Sequence, residues 1–565
     1  MPHTMSRFLP AGCLGAACLL VACATTPTVV PPSGPLQVEV PAIQRPEGET
    51  PAWWYRDGAA QAAARGAMDG RARNVILFVG DGMSLTTVAA ARILAGQRAG
   101  QPGEEHRLAW ERFPATALSR TYNTDAQTPD SAGTMSAMAT GVKTRAGVLS
   151  IGQQPVRRDC QGALQVPLLS LWELAESAGM ATGVVTTARL THATPGATFS
   201  HSADRDWESD ADLPATARAV GCTDIARQMI ETPFGDGPEL LMGGGRAKFM
   251  RADQPDPEYP ALRGARRDGH DLVADWQARH PDGHYAWNAG QLAAAPADGP
   301  LLALFQPGHM QFEHDRAGDA AGEPSLAEMT RIAIRRLENA PQGYVLLIEG
   351  GRIDHGNHYG NAHRALTDTI AMSDAVQAAV DMTSSDDTLV LVTADHSHTL
   401  TFVGYPRRGN PILGKVVPIA SDSAKPLSTD ATGLPYTTLS YANGPGYAGE
   451  TAHQPEGPKR FMHKVQRARQ ANGRPDLTDV DTRDPDYLQE SMLPLVDESH
   501  GGDDVGVWAR GPGSDAVRGS IEQNAIHHMM LQATPRLREA LCAQGGCNTD
   551  GVPVDLPDFE AFKAR

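Results

Sequence analysis

Five short runs of apolar and β-branched residues constrain the fold of this chain more than any other feature of its sequence. They lie at residues 75–79, 181–187, 344–348, 388–393 and 505–509. Runs of this length and composition are typical of strands buried on both faces of a sheet. Helical stretches lie between them, such as 362–381, in which Met372, Val376 and Val380 recur at four-residue steps. The alternation predicts an α/β fold.

The chain is long enough for one large hydrophobic core with insertions, since it has 565 residues, 41% of them hydrophobic. One insertion is indicated at 401–497, where Gly, Pro, Asn and Tyr are frequent and no period is clear. The formal net charge of -17 argues against a general nucleic-acid binder, which would carry a basic surface. An anionic substrate would need a local reversal of charge, which bound metal ions supply.

The first fifty residues are interpreted as targeting sequence and linker. Arg7 precedes an apolar stretch at 11–22 that is too short to span a membrane and suits a signal peptide over residues 1–22. Residues 20–23 read LVAC, which resembles a bacterial lipobox. We therefore expect an exported protein of the periplasm or outer membrane, lipid-anchored through Cys23. The alternative is an ordinary signal peptide that happens to contain a cysteine. Residues 23–50, rich in Thr and Pro, are predicted to be an extended tether before a domain at 51–565.

The cysteines of the body support export. Outside the leader the chain has only Cys160, Cys222, Cys542 and Cys547, an even number suited to an oxidising compartment. The short spacing from Cys542 to Cys547 could close a small loop, which would leave Cys160 to pair with Cys222. None has the spacing of a thiolate zinc site, so we expect structural roles.

Acidic and histidine side chains follow the apolar runs where the predicted strands end. They are Asp81 after the first run, Glu349, Asp354 and His358 after the third, and Asp395 and His396 after the fourth. Each alone has an ordinary explanation as a turn, cap or surface residue. Because ligands of open α/β sheets gather beyond the carboxyl ends of strands, their coincidence predicts a polynuclear metal site. Imidazole mixed with carboxylate suits zinc, and oxygen ligands alone suit magnesium.

Ser131 is the candidate nucleophile. Pro129 and Asp130 before it are typical of a helix entry. A serine there meets free backbone N–H groups, and the helix dipole favours negative charge on it or on its phosphate. The alternative is a plain helix N-cap. The segment has no Gly-x-Ser-x-Gly motif, so a metal ion would have to activate the hydroxyl.

Four segments together resemble the alkaline phosphatases: FVGDGM at 78–83, DSA at 130–132, EGGRIDH at 349–355 and TADH at 393–396. The resemblance extends over nearly the whole body, and its details are similar to the animal-type branch, although the leader looks bacterial. It implies a three-layer sandwich around a large, mostly parallel sheet, with 401–497 as the inserted crown. It also implies hydrolysis of small phosphate monoesters through a phosphoserine.

Matching positions imply the roles of individual residues. One zinc would be held by Asp354, His358 and His500, and a second by Asp81, Asp395 and His396. A magnesium would be held by Asp81, Thr194 and Glu349, with His192 nearby. Arg205 would clamp the phosphate with its planar fork of donors.

Two further family features are implied. An additional calcium site would use Glu258, Phe305 and Glu323, but Gln306 replaces a glutamate of the family and removes one negative ligand. Trp53 and Trp54 resemble an N-terminal arm that embraces a partner subunit, so a homodimer is expected.

Two other classes of protein compete with this interpretation. A phosphodiesterase or sulfatase of the same superfold would keep part of the zinc site, but the sulfatase modification motif is missing at Ser131. A diesterase has no need of Arg205 and a third metal. An anchored metal-binding or phosphate-binding lipoprotein would need no positioned nucleophile, and a turnover assay separates it from an enzyme.

Overall fold

The computed structural model describes residues 36–420 and 426–564. The predicted signal peptide at 1–22, the lipidation site Cys23 and residues 23–35 of the predicted tether lie outside the described residues.

Ten strands of the described chain form a sheet at the centre of the molecule. They are β1 Asn74–Gly80, β2 Ala115–Arg120, β3 Ala181–Arg189, β4 Leu240–Gly244, β5 His284–Ala286, β6 Leu301–Leu304, β7 Tyr344–Gly350, β8 Thr388–Ala394, β14 Val505–Arg510 and β15 Arg518–Glu522. Their order is β15-β2-β14-β8-β1-β7-β3-β4-β6-β5. β14 runs antiparallel to its neighbours β2 and β8, and all other pairings within the sheet are parallel. The predicted α/β fold with a mostly parallel sheet is confirmed.

Helices cover both faces of this sheet. Val75, Leu77 and Val79 of β1 point into one hydrophobic cluster, and Ile76 and Phe78 point into another, because successive side chains of a strand face opposite sides. The described helices are α1 Pro51–Ala64, α2 Leu85–Arg98, α3 Ser131–Thr140, α4 Cys160–Ala163, α5 Leu171–Ser177, α6 Ala193–Phe199, α7 Ala215–Val220, α8 Ile225–Ile230, α9 Arg246–Phe249, α10 Leu272–Arg279, α11 Ala289–Ala294, α12 Leu326–Leu337, α13 Arg352–His358, α14 Ala362–Met382, α15 Ala525–Ala533 and α16 Pro535–Ala543. The result is the expected three-layer arrangement.

The insertion at 401–497 carries a small sheet of its own. β10 Leu400–Phe402, β11 Leu439–Asn443 and β12 Ser491–Leu493 pair in that order, apart from the central sheet. Beside them, β9 Ser397–His398 pairs with β13 His500–Gly501. The two ends of the insertion therefore return to the carboxyl edge of the central sheet.

Residues 36–50 lie against the domain, and the compact unit begins at Leu36. Leu36 and Val38 pack on a hydrophobic cluster of α1 and the C-terminal segment. Arg45 donates a hydrogen bond of 2.8 Å to the hydroxyl of Tyr122. This part of the predicted tether therefore packs against the domain through apolar side chains. Its high proline content had indicated an extended segment without such contacts. Trp54, expected on an arm toward a partner, is fully buried within its own chain.

Two disulfides join the body cysteines, Cys160 to Cys222 and Cys542 to Cys547. Among the described residues, no helix is both long and apolar enough to cross a membrane.

Candidate active site

Three neighbouring strands end at the same edge of the sheet, and the predicted site residues follow directly after them. β8, β1 and β7 lie side by side, and Gly80 of β1 pairs with both Gly350 of β7 and Ala394 of β8. Asp81 and Asp395 are the next residues along the chain, and α13 starts just after β7. The parallel register therefore brings side chains from distant segments to one edge of the sheet.

Potential metal ligands gather there into four groups among the described residues, and within each group the ligand atoms lie within 4.8 Å of one another. The groups are Asp354 with His358, His398 and His500; Asp81 with Asp395 and His396; Asp81 with His192 and Glu349; and His192 with His309 and His355. The first two contain all six residues for which the sequence predicted zinc binding. The third contains two of the three predicted magnesium ligands together with His192.

The first group has the geometry of a cation site. The Nε2 atoms of His358 and His500 lie 3.2 Å apart, and they face Asp354 Oδ1 at 3.3 and 3.5 Å. Burial lowers the pKa of His358 even though Asp354 opposes the shift, so that ring is neutral and offers a lone pair. Imidazole nitrogens converging with a carboxylate oxygen form a donor set that fits zinc.

His398 belongs to this group in space but is not available as a ligand. Its Nε2 lies 2.7 Å from Asp354 Oδ1, and its Nδ1 is bonded to Glu498. Burial disfavours a charged ring here, but Glu498 and Asp354 outweigh it and raise the pKa of His398 to about 10. Both nitrogens therefore carry protons and donate to carboxylates, so His398 holds Asp354 in place.

This role of His398 was not predicted from the sequence. The signal was the His-Ser-His spacing at 396–398, because side chains two residues apart on an extended chain point the same way.

The second group surrounds the candidate nucleophile. Ser131 Oγ lies 3.1 Å from His396 Nε2 and 3.5 Å from Asp81 Oδ1. Burial, with His500 nearby, holds the pKa of His396 well below its usual range, so the ring is neutral. Asp395 is tied to the end of β1, since its Oδ1 accepts a hydrogen bond of 2.9 Å from the backbone of Gly82.

Ser131 is the first residue of α3. Asp130 caps this helix and accepts hydrogen bonds from the backbone N–H groups of Gly133 and Gly147, at 3.1 and 2.9 Å. The candidate nucleophile is 2% exposed and lies where the helix N-terminus favours negative charge.

The third group is rich in buried oxygen atoms without partners. Asp81 Oδ2 and Glu349 Oε1 of this group are buried and have no hydrogen-bond partner among the residues that the structure describes, and the same holds for Oγ1 of Thr194, the third predicted magnesium ligand. Burial and the crowding of carboxylates raise the pKa values of Asp81 and Glu349. Burial of unpaired oxygens is costly, and a hard cation would compensate it, so these residues fit a magnesium ion.

Arg205 links His192 of the third group to Asp130, the residue before the candidate nucleophile. Its Nη1 lies 3.2 Å from Asp130 Oδ2, and its Nη2 lies 3.1 Å from His192 Nε2. Burial opposes its charge, but Asp130 and Asp81 outweigh this and raise the pKa of Arg205. The guanidinium is therefore a positive charge held in place by Asp130 and His192.

The counterparts of the calcium site lie around Asp319: burial and the nearby Asp319 carboxylate raise the pKa values of Glu258 and Glu323, and Asp319 Oδ2 and Glu323 Oε2 are buried without a hydrogen-bond partner among the described residues. Gln306 Nε2 donates a hydrogen bond of 2.6 Å to Asp319 Oδ1, and Arg246 reaches Glu258 at 3.3 Å. Within the described ranges, neither Glu258 nor Glu323 belongs to a group of three potential ligands.

Comparison with known proteins decides the family. A family model described as "Alkaline phosphatase" matches residues 72–535. The chain belongs to the alkaline phosphatase family. It is therefore a phosphoric monoester hydrolase. The matched residues include the candidate nucleophile and every metal ligand that the sequence predicted.

Curated relatives resemble the enzyme over most of their length. The tissue-nonspecific alkaline phosphatase of Felis catus is 43% identical over 469 residues, which cover 82% of this chain and 83% of the relative. The human tissue-nonspecific enzyme is 42% identical with the same coverage. The alkaline phosphatase of Gadus morhua is also 42% identical, over 82% of this chain and 92% of its own.

Solved structures share the fold. Thermus thermophilus alkaline phosphatase is 25% identical and superimposes with a TM-score of 0.57, covering 89% of this chain and all of its own. The alkaline phosphatase of the Antarctic bacterium TAB5 is 20% identical, with a TM-score of 0.52 over 82% of this chain and 98% of its own.

Proposed function

We propose that this alkaline phosphatase uses Ser131 as its nucleophile and Arg205 as its phosphate clamp. The observation that carries the proposal is the position of Ser131 Oγ, 3.1 Å from His396 Nε2 at the N-terminus of α3. The hydroxyl oxygen attacks phosphorus, the bond to the leaving alkoxide breaks, and a phosphoserine forms. Water then cleaves the phosphoserine, which regenerates the hydroxyl and releases inorganic phosphate.

The donor sets support two zinc ions and one magnesium ion. Asp354, His358 and His500 would hold one zinc, and Asp81, Asp395 and His396 the other. Asp81, Thr194 and Glu349 would hold magnesium, with His192 beside them. Bound metal ions would supply electrostatic activation of the Ser131 hydroxyl and of water, and stabilise the leaving oxygen.

Arg205 orients the substrate. Its Nη1 is engaged by Asp130 and its Nη2 by His192, so the plane of the guanidinium is fixed before phosphate arrives. A fixed fork of donors binds two phosphate oxygens with little loss of side-chain entropy. This favours monoesters, which present further charged oxygens, over diesters.

The test compares Ser131→Ala with Ser136→Ala, a buried serine on the same helix. We expect Ser131→Ala to lose at least about 1000-fold in turnover of a phosphate monoester, because it lacks the oriented nucleophile. Labelled phosphate should become trapped on the wild type and on Ser136→Ala only. Turnover of Ser131→Ala at the wild-type rate would refute the phosphoserine.

Removal of the metal ions by a chelator should abolish activity. Added zinc should restore part of the activity, and added magnesium should complete the recovery. Recovery on calcium alone would contradict the assigned ions.

We also propose an exported protein of the periplasm or outer membrane, with a lipid on Cys23. The support is the LVAC sequence at 20–23 together with two disulfides, which form in oxidising compartments. Metabolic labelling with a fatty acid should mark the wild type and not Cys23→Ala. Equal labelling of both would exclude this site.

A homodimer is proposed as well. Met492, Leu493, Leu495 and Val496 of the insertion are exposed apolar side chains in one segment, which is typical of a surface covered by a partner. Analytical ultracentrifugation should give twice the mass of one chain, and a monomer at micromolar concentration would contradict the proposal.

A further inference from the structure

Asp395 and His396 form a two-residue link between β8 and β9, and we refer to these two residues as the ligand link. The Asp395 carboxylate is held from one side, since its Oδ1 accepts hydrogen bonds of 2.9 Å from the backbone N–H groups of Gly82 and His396. Its other oxygen, Oδ2, is buried without a hydrogen-bond partner among the described residues. The direction of that oxygen therefore depends on how the backbone of the ligand link is held.

Gln523 holds this backbone from a position 128 residues further along the chain. Its Nε2 donates a hydrogen bond of 2.7 Å to the backbone carbonyl of Asp395. The side chain of Gln523 is fully buried, and its Oε1 has no partner among the residues that the structure describes. Because a buried amide oxygen without a partner is costly, burial alone would favour an apolar side chain of this size. The hydrogen bond to Asp395 is the contact that only a donor can make.

The two neighbours of this glutamine are bonded to the far end of α3, the helix that starts at the candidate nucleophile. Glu522 forms a buried ion pair of 2.8 Å with Lys143, three residues beyond α3. Asn524 donates a hydrogen bond of 3.1 Å to the carbonyl of Gly141, the C-cap of α3. Residues 522–524 thus connect α3 with the ligand link, so one short segment fixes both sides of the second ligand group.

We propose that Gln523 is a positioning residue for the zinc ion of the second group, and that it acts through the backbone of Asp395. The inference rests on the proposed function, since it takes Asp395 and His396 to be zinc ligands. Contacts that orient a metal ligand typically contribute about 10-fold to 100-fold in metal affinity. Gln523 contacts the carbonyl and not the carboxylate, so we expect an effect at the lower end, about 10-fold.

The test is Gln523→Met, which keeps the length of the side chain and removes its donor. Gln532→Met is the matched control. Gln532 lies on α15, is also fully buried, and donates a hydrogen bond of 2.9 Å to the backbone carbonyl of Ala59 on α1. Its Oε1 is likewise without a partner among the described residues. The two substitutions remove the same kind of hydrogen bond, so a general loosening of the fold would appear in both.

The measurement is a zinc titration in the presence of a competing chelator, which gives the dissociation constant of each zinc ion without using catalysis. The binding step that His396→Ala abolishes belongs to the second group. We expect the dissociation constant of this step to rise about 10-fold in Gln523→Met and to keep its wild-type value in Gln532→Met. The other zinc step should be unchanged in both variants. Turnover of Gln523→Met should also need correspondingly more zinc to reach half of its maximum.

Gln523→Asn is a second test variant, because it keeps the amide but is one carbon too short to bond the Asp395 carbonyl. It should weaken the same zinc ion as Gln523→Met does. Wild-type affinity in both Gln523 variants, or an equal loss in Gln532→Met, would overturn the inference and leave the proposed ligands standing. If His396→Ala abolished no zinc step, the ligand assignment itself would be refuted, and the inference with it.

Discussion

Asp130 and Arg205 are joined by a hydrogen bond of 3.2 Å between Oδ2 and Nη1. The other oxygen of the same carboxylate caps the helix that begins with Ser131. One acidic side chain therefore fixes both the proposed nucleophile and the proposed phosphate clamp.

Asp130→Asn should loosen the clamp while keeping the cap. The amide oxygen can still accept from Gly133, but the charge that holds Arg205 is gone. We expect phosphate to bind about 3-fold to 10-fold more weakly, a loss on the order of 1 kcal/mol. Competitive inhibition by inorganic phosphate measures this directly. An unchanged inhibition constant would show that Asp130 does not position Arg205.

His398→Ala should weaken zinc binding in the first group. The substitution removes the donor that holds Asp354, and changes of this kind cost about 10-fold to 100-fold in metal affinity. His398→Gln retains a donor and should recover part of the loss. Competition against a chromogenic chelator gives the affinities, and wild-type affinity in His398→Ala would refute the positioning role.

His192→Asp should tighten magnesium binding. A carboxylate adds negative charge beside Asp81 and Glu349 and suits the hard Mg²⁺ ion better than imidazole. We also expect slower turnover at alkaline pH, because a more anionic site holds the metal waters and product differently. A magnesium titration of metal-stripped, zinc-restored enzyme is the measurement. A variant that needs as much magnesium as the wild type, or more, for half-maximal activity would exclude His192 from the third group.

Asp368→Asn should remove a loss of stability that develops as the pH rises to about 8. Burial raises the pKa of Asp368 to about 8, with Arg352 opposing the shift, whereas an unfolded Asp titrates near 3.9. Between these values the folded chain binds the extra proton, so the free energy of unfolding falls as pH rises. The wild type should lose up to about 1.4 kcal/mol per pH unit relative to the variant over this window. Denaturant unfolding at pH 5, 7 and 9 measures the free energy of unfolding of the wild type and the variant. An equal pH dependence in the two proteins would contradict the prediction.

Much of the fold could be predicted because its central strands are continuous. β1, β7 and β8 are buried on both faces and appear in the sequence as uninterrupted apolar runs. β2 alternates buried and exposed residues, and β15 is exposed over its first three positions. Their burial depends on partners from distant segments, so no local apolar run identified them.

The site could be predicted where ligands directly follow such strands. Asp81 and Asp395 are examples, since the register of neighbouring strands places them together. The role of His398 depends on Glu498, a hundred residues away.

Because β9 pairs with β13, the first ligand group can form only after the insertion between these two strands has folded. His500 stands opposite His398 in this pairing, and it reaches the site only after the whole insertion at 401–497 has been synthesised and folded back. A chain truncated anywhere before residue 500 lacks the histidine that we propose completes the first group. We therefore expect a truncated chain to have no phosphatase activity, so that activity appears only once the insertion and the strand after it have been made.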